Sequence, residues 1–406
     1  MGTVFANMAL LRKQSWLMTL AVAMLVTIGV FFVYSAGYVA QEQASSGLYR
    51  KQILWALVGM ACYQIFAAID YRSLRRLAWW AYAVSLVLLA LVLLVGRRIY
   101  GAQRWLDLPG FQLQPSELAK VAVILLLARR LSRPGVNLGH ARPLATVLAI
   151  VGVPWLLILK EPDLGTAMVF VPTTFLMMYV AGVPWQALGV LVGAGVFAAS
   201  LFVGALFLPE KLGMDEQQQA RFTRRVGASE YQRDRLVVFL KPDSDPLGAG
   251  WNKRQSEIAV GSGGAWGKGF LNGTQNILRF LPRSVAPTDF IFCVIAEERG
   301  FFGSIVVLFL FAVVTATAVR AGLLAHDKLG RLLCVGIAVL ILAHVFVNIS
   351  MTVGLLPITG LPLPLLSYGG SFMMVVMSAL GVVQSVWIRS RPPDEAFEQG
   401  GLWRAG

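Results

Sequence analysis

The chain has 406 residues, of which 57% are hydrophobic and only 14% are charged. A soluble domain carries about 25% charged residues, and too few polar side chains are present here to cover the surface of a water-soluble globule. The net charge of +14 is explained by Lys and Arg that fix the orientation of a membrane protein and contact anionic headgroups, so no nucleic acid partner is expected.

Apolar runs of about 20 residues, the length needed to cross a bilayer, recur along almost the whole chain. The predicted fold class is therefore an all-α integral membrane protein in which residues 1–406 form a single polytopic domain. Ten spans are predicted, at residues 16–36, 53–69, 77–95, 116–131, 144–159, 164–181, 184–208, 290–319, 332–354 and 371–388.

Lys and Arg in the short loops indicate the orientation of the spans, because cytoplasmic loops carry an excess of both. With the N-terminus in the cytoplasm, the cytoplasmic segments hold 15 of these residues and the short outer loops hold 6. Both termini are therefore expected in the cytoplasm. The same orientation places one large extracytoplasmic loop, residues 209–289, between the seventh and eighth spans.

This large loop is expected to be functional, because structureless loops of such length are uncommon in compact proteins. Residues 214–235 are polar and charged, which predicts a partly helical or mobile segment. Glycine then recurs between Gly248 and Gly273, interleaved with apolar side chains. Glycine allows tight turns and close approach of the backbone to a ligand, and we expect this stretch to pack back against the membrane surface.

The outer loop before the fourth span and the first turn of that span read GAQRWLDLPGFQLQPSELAK, residues 101–120. Glu117 and Lys120 are neighbours on one helix face, so they either form an ion pair at the start of the helix or line a polar cavity. The cavity is favoured, because ionisable groups at membrane depth are costly and usually face one. Arg104 beside Trp105 is typical of an interfacial anchor.

Carboxylates mark two further span boundaries, and each has two open interpretations. Asp289 lies where the large loop meets the eighth span. It either caps that helix or acts as a general base, because partial desolvation tends to raise the pKa of a carboxyl. Glu161 and Asp163, in the short turn after the fifth span, either cap the sixth span or face the cavity.

Polar or irregular features also occur inside the last three spans. The ionisable residues at 297–299 cannot all face lipid, and a buried structural ion pair is the favoured interpretation. His344 is interpreted as a satisfied interior histidine. Residues 354–371 combine prolines and glycines, which predicts a bent segment that forms the wall of a groove, because irregular backbone at membrane depth must be satisfied by protein or water.

Five segments together resemble one known family. They read QPSELAK (114–120), EPDLGTA (161–167), QSEIAVGSGGAWGKGFLNGTQ (255–275), PTDFIFCVIAEERGFFGS (287–304) and GLLPITGLPLPLLSYGGS (354–371). On these motifs the chain resembles the SEDS family (shape, elongation, division and sporulation proteins), which includes RodA, FtsW and SpoVE. Within that family the elements at 267–275 are most similar to RodA. The resemblance extends from about Ser15 to Arg389.

The resemblance implies a peptidoglycan glycosyltransferase with ten spans that polymerises lipid II into glycan strands for cell-wall elongation and cell shape. It implies a bacterial cytoplasmic (inner) membrane location, an active site on the extracytoplasmic side, and a class B penicillin-binding protein, a transpeptidase, as partner. The family's essential Asp falls on Asp289, and its PSE-x-x-K motif on Glu117 and Lys120. Where the family usually has LPE-x-x-TDF, this chain carries Arg283 in place of the Glu and a longer spacer before TDF.

Sugar transfer from such a lipid needs a base for the acceptor hydroxyl and cations for the leaving pyrophosphate. Asp289 is the candidate base for the acceptor hydroxyl. The donor releases polyprenyl pyrophosphate as the new bond forms. The candidate substrate-binding residues are Glu117, Lys120, Arg104, Trp105, Arg254 and Lys268. A divalent cation, Mg²⁺ or Mn²⁺, is expected to assist the pyrophosphate. Three cysteines without a CxxC pair indicate neither a disulfide framework nor a zinc site. No dedicated cluster of metal ligands is visible in the sequence, so the cation is not assigned to residues.

Two other functions remain open on the sequence. A flippase or transporter of a lipid-linked precursor would need polar residues at mid-membrane depth on several spans, whereas the spans here are largely apolar. A non-catalytic scaffold of a wall-synthesis complex would tolerate substitution of Asp289 together with Lys120.

Overall fold

The computed structural model describes residues 11–390 apart from short gaps. The gaps are residues 40–43, 100–101, 109–110, 136–139, 216–217, 220, 223–229, 242, 244, 246–247 and 283. The helices of the described part are α1 Trp16–Ala36, α2 Leu48–Ala68, α3 Tyr71–Val95, α4 Pro115–Leu131, α5 Ala141–Lys160, α6 Leu164–Ala181, α7 Trp185–Lys211, α8 Glu230–Leu240, α9 Ala249–Ser262, α10 Thr274–Ile277, α11 Ile291–Leu324, α12 Lys328–Thr352 and α13 Gly370–Ser390. Helices dominate, which confirms the predicted all-α class.

The chain is a multi-pass membrane protein. Among the described helices, nine are long and apolar enough to cross a membrane, namely α1, α2, α3, α5, α6, α7, α11, α12 and α13. The fourth predicted span corresponds to α4, which has only 17 residues and is about 26 Å long. Most of its side chains are buried against α3, α6 and α12, so α4 is an internal helix. The predicted cytoplasmic termini and the single domain stay predictions.

The centre of the helix bundle is formed by α12 and α13. In these helices 83% and 89% of the spanning residues are buried, against 6% in α7. α13 packs along α2, and α12 packs between α11 and α6. The apolar side chains of α7 face outward, where lipid tails solvate them as well as protein would. α12 and α13 therefore form the interior of the bundle, and α7 lies at its periphery.

Two small antiparallel sheets lie outside the helices, and the apolar runs did not predict them. Their strands are β1 Tyr38–Val39, β2 Ala44–Ser45, β3 Arg97–Ile99, β4 Ala102–Leu108 and β5 Phe111–Leu113. The first sheet pairs β1 with β2, and the second has the order β3-β4-β5 with Trp105 opposite Arg97. Side chains alternate between the two faces of a strand, so Arg104 in β4 is buried while Trp105 is partly exposed.

The glycine-rich stretch of the large loop packs into a break in α11, so it contacts the helix bundle. The break is at Gly300, whose φ of 63° and ψ of −158° are not helical. There the backbone N–H of Lys268 donates to the carbonyl of Glu297 at 3.0 Å. A Cβ on Gly267 would lie 2.2 Å from the carbonyl oxygen of Glu298, so the close approach requires glycine.

The carboxylates beside this break have structural partners. Glu297 is fully buried and accepts a hydrogen bond from the Lys268 ammonium at 2.7 Å. Glu298 accepts from the hydroxyl of Ser35 on α1. The 297–299 cluster therefore anchors the loop to the bundle, and the ion-pair partner is Lys268 rather than the neighbouring Arg299.

Candidate active site

A cavity of about 1030 Å³ lies between the outer sheet, α8 and the segment that follows α12. Its polar lining comes from separate parts of the chain. These groups are Lys51, Arg104, Asp107, Gln112, Gln114, Asp234, Arg235, Asp245, Asn252, Lys253, Ser284, Thr288, Asp289, Tyr368 and Ser371. The indole rings of Trp55 and Trp105 also line it, and the bent 354–371 segment forms one wall. The predicted groove wall is therefore confirmed.

Asp289 lies in the turn before α11 and lines the cavity. Burial raises the pKa of its carboxyl to about 6, and the positive charges of Arg235 and Arg104 offset only part of that shift. The N-cap residue of α11 is Phe290, which makes no side-chain cap hydrogen bond. Asp289 is therefore not the N-cap of this helix. A carboxyl whose pKa lies near neutrality is suited to accept a proton.

Hydrogen bonds to three consecutive backbone carbonyl groups fix the main chain around Asp289. The backbone N–H of Tyr368 donates to the carbonyl of Pro287 at 2.8 Å. The hydroxyl of Ser367 donates to the carbonyl of Thr288 at 2.6 Å.

The third tie comes from α12. The side-chain amide of Asn348 donates to the carbonyl of Asp289 at 2.9 Å and to the carbonyl of Leu361 at 2.7 Å. Asn348 is fully buried. The carboxyl of Asp289 is therefore presented to the cavity from a backbone that both α12 and the 354–371 segment fix.

Arg104 joins the outer sheet to the turn between α5 and α6. Its side chain is 5% exposed and lies 3.7 Å from Asp163 Oδ1. It also donates to the backbone carbonyls of Glu161 and Pro162. Asp163 caps α6 through Thr166. Of the two interpretations of Asp163, the capping role is observed, and the same carboxylate also holds Arg104 at the cavity.

Three cations that line the cavity were not predicted as site residues from the sequence, namely Lys51, Arg235 and Lys253. Arg235 on α8 donates to the carbonyl of Ile358 and acts on the Asp289 carboxyl through its charge. Lys253 on α9 donates to the carbonyl of Phe239 at 3.1 Å. The only sequence signal for Arg235 was its position, where the charged part of the loop gives way to the apolar residues 236–240.

Glu117 and Lys120 lie beside the cavity in a buried cluster. The Lys120 ammonium donates to Glu117 Oε1 at 2.8 Å and lies 2.6 Å from His344 Nε2. His344 Nδ1 lies 2.8 Å from the carbonyl of Leu340, so this histidine has partners on both ring nitrogens. Phe372 contacts the cluster and also lines the cavity. The ion pair therefore packs behind the part of the cavity wall that Phe372 forms, which is called the cavity floor below.

The two remaining candidates lie elsewhere. Arg254 is exposed and pairs with Asp243, and its neighbour Lys253 takes the cavity position. Lys268 pairs with Glu297 in the anchor of the glycine-rich stretch. Neither Arg254 nor Lys268 is among the described residues that line the cavity. The departure at Arg283 lies outside the described residues.

The arrangement brings together one carboxyl with a raised pKa, several cations and two indole rings in a cavity that several family-like motifs line. The sequence model of the FtsW, RodA and SpoVE cell cycle proteins matches residues 15–391. The chain belongs to this family.

Relatives of this family member match over nearly their whole length. The peptidoglycan glycosyltransferase MrdB of Escherichia coli K12 is 35% identical over 364 residues, which cover 89% of this chain and 92% of MrdB. A chain from a peptidoglycan synthase complex that coordinates polymerization and crosslinking is 31% identical, with a TM-score of 0.73, and 93% of this chain and 98% of that chain are covered. The rod shape determining protein RodA of Thermus thermophilus is 29% identical, with a TM-score of 0.64 and coverages of 94% and 98%.

Proposed function

We propose that the chain is a peptidoglycan glycosyltransferase that polymerises lipid II into glycan strands for cell-wall elongation and cell shape. The observation that carries this proposal is the cavity in which Asp289, with a pKa raised to about 6, lies within the field of Arg235 and Arg104. Relatives that match nearly the full chain are named peptidoglycan glycosyltransferases, which supports the same reaction.

In the proposed reaction Asp289 removes the proton from the acceptor sugar hydroxyl. The hydroxyl oxygen then bonds to the anomeric carbon of the donor, and the bond from that carbon to the pyrophosphate oxygen breaks. Pyrophosphate is a good leaving group, so one well-placed carboxylate base is sufficient and a strong general acid is not needed. The polyprenyl pyrophosphate leaves with both electrons of the broken bond.

The cations around the cavity are suited to the pyrophosphate. Arg104, Arg235 and Lys253 line it from three separate elements. Arginine binds phosphate oxygens through paired N–H groups, and charge neutralisation in a partly buried cavity stabilises a leaving anion more than in water. The indole rings of Trp55 and Trp105 offer flat apolar faces to the sugar rings.

A divalent cation, Mg²⁺ or Mn²⁺, stays part of the proposal. No group of three or more His, Cys, Asp or Glu side chains in the described ranges is arranged to hold a metal ion. The described residues therefore do not form a dedicated metal site. A cation would arrive bound to pyrophosphate oxygens and neutralise their charge, and no step above depends on it.

The proposed setting is the bacterial cytoplasmic (inner) membrane, with the cavity on the extracytoplasmic side. Two observations support that side: the charge bias of the short loops, and the contribution of the large loop to the cavity through α8 and α9. The likeness to a chain of a peptidoglycan synthase complex that also crosslinks strands supports a class B penicillin-binding protein as partner.

The activity is tested with the purified chain, its transpeptidase partner, lipid II and a divalent cation. Glycan strands separated by size on a gel are the expected result. If lipid II crosses liposome membranes but no strands form, the flippase function would replace this proposal. If the partner-bound chain neither forms strands nor moves lipid II across the membrane, the scaffold function would replace this proposal.

The rate of strand formation should fall as the pH drops through about 6. A base must be deprotonated to accept a proton, and burial raises the pKa of the Asp289 carboxyl to about 6. Below that pH the carboxyl is mostly protonated and inactive, and above it the rate levels off. Initial rates between about pH 5 and 8 measure this limb. A rate that stays level down to about pH 5, as an unburied Asp with a pKa near 4 would give, would contradict the burial of this group.

Replacing Ser367 by Ala should lower kcat by about tenfold, because a small displacement of a catalytic group costs one to two orders of magnitude. The Ser367 hydroxyl bridges the N–H of Leu363 and the carbonyl of Thr288, so its loss frees the backbone next to Asp289. KM should change little. The matched control is Ser378→Ala, whose hydroxyl bonds only within its own helix, to Met374. Equal kcat for both variants would show that the tie does not position the base.

A further inference from the structure

Glu161 is a buried carboxyl that the proposed reaction does not use. It is the C-cap residue of α5, and its side chain is 0% exposed. Neither of its carboxyl oxygens has a hydrogen-bond partner within the described part of the chain. A buried polar group without partners is rare in proteins and calls for an explanation.

Asp163, two residues along the same turn, is in the opposite situation. It accepts hydrogen bonds from the backbone N–H and the hydroxyl of Thr166, at 3.1 and 2.9 Å. It also accepts from the side-chain amide of Gln114 at 3.2 Å and lies 3.7 Å from the guanidinium of Arg104. Every partner of Asp163 is a donor, which is the environment of an ionised carboxylate.

The cation that acts on Glu161 already has a carboxylate partner. The charged groups that act on Glu161 are Asp163 from its own turn and Arg104 from β4. The Arg104 guanidinium lies 3.7 Å from Asp163 Oδ1 and also acts through its charge on the Asp289 carboxyl. A third buried anion would compete for Arg104 and would raise the cost of ionising Asp289.

Burial supports the uncharged form directly. Removal from water is the largest influence on the Glu161 carboxyl and raises its pKa to about 9, with a further upward contribution from the Asp163 charge. The charge of Arg104 acts in the opposite direction and is weaker than either. An isolated buried carboxylate costs far more than its neutral acid, so the proton stays on Glu161 at neutral pH.

We propose that Glu161 is a positioning residue that works as an uncharged carboxylic acid. Its backbone carbonyl accepts a hydrogen bond from Arg104, and its uncharged side chain does not compete for the guanidinium, so that Arg104 stays paired with Asp163 and directed at the cavity. The inference rests on the proposed function for its activity readout only. The stability measurement needs no activity, so a failure of the proposed function can be distinguished from a failure of the role proposed for Glu161.

The stability test compares Glu161→Gln with wild type by thermal unfolding in detergent micelles between about pH 5 and 9. A native group with a raised pKa keeps a proton that the unfolded chain releases, so wild-type stability falls as the pH rises through that window. Gln cannot titrate. The melting temperature of the variant should therefore equal that of wild type near pH 5 and exceed it increasingly up to pH 9. Parallel melting curves over the whole range would overturn the proposal.

The activity test pairs Glu161→Gln with Asp163→Asn, which removes the neighbouring charge by the same change of atoms. Near pH 7 the Gln variant should keep the wild-type rate within about twofold. The Asn variant should lose at least about tenfold, because it removes the carboxylate charge that lies 3.7 Å from the buried Arg104 guanidinium. Above about pH 9 the wild-type rate should fall and the Gln variant should not, since only wild type can ionise there. Equal losses in both variants near pH 7 would overturn the proposal.

Discussion

Asp289→Asn is expected to lower the rate of strand formation by at least about 10³-fold, within the range that removal of a general base costs. Asn has nearly the same shape and cannot accept the hydroxyl proton. The backbone ties to Tyr368, Ser367 and Asn348 use carbonyl groups, so they persist in the variant. Binding of lipid II should therefore change little, and consumption of labelled lipid II under single-turnover conditions measures the loss.

The matched control for this substitution is Asp107→Asn. Asp107 lines the same cavity but is exposed and pairs with Arg97 and Gln112 at the rim. Its variant should keep most of the wild-type rate, because exposed ion pairs contribute little. A fully active Asp289→Asn variant would remove Asp289 from the chemistry, and equal losses in both variants would indicate a general effect of cavity charge.

Lys120→Met is expected to reduce both stability and activity strongly. Lys120 and Glu117 are each no more than 3% exposed and lie 2.8 Å apart. Removing one partner of a buried ion pair leaves an uncompensated charge and costs roughly 3–5 kcal/mol. The melting temperature in detergent and the strand-forming rate are the two measurements.

The double variant Glu117→Gln, Lys120→Met separates the contribution of the ion pair to stability from its contribution to activity. A buried pair can often be replaced by uncharged groups without loss of stability, so the melting temperature should recover most of the way. The rate should stay low, because the positive charge beneath Phe372 at the cavity floor is still missing. Full recovery of the rate would show that the ion pair has only a structural role at the start of α4.

The spans could be predicted because each is a long apolar run bounded by charged or turn-forming residues. α4 shows the limit of that signal, since Glu117 and Lys120 in its first turns interrupt the run and the helix is buried by neighbouring helices instead of by lipid. The outer sheet around Arg104 was not predicted, because strands as short as β3 and β5 leave no usable alternation in the sequence.

The site could be predicted where a charged residue interrupts an apolar run, as Asp289 does. It could not be predicted where the decisive contact lies far along the chain. Lys253 and Arg254 are adjacent, and only the packing of α9 decides which one lines the cavity. Lys268 and Glu297 were both singled out, but their pairing depends on the break at Gly300, which the sequence alone does not locate.

The central claim, that the cavity beside Asp289 holds the reacting sugar lipid, is tested most directly by photocrosslinking. Lipid II with a photoreactive group near its pyrophosphate would be bound to the partner-associated chain, irradiated, and mapped by mass spectrometry. We expect labels on cavity residues such as Arg235, Lys253 and Trp105, with competition by unlabelled lipid II. Competed labels found only on outward-facing residues of α7, such as Phe197, would contradict the account.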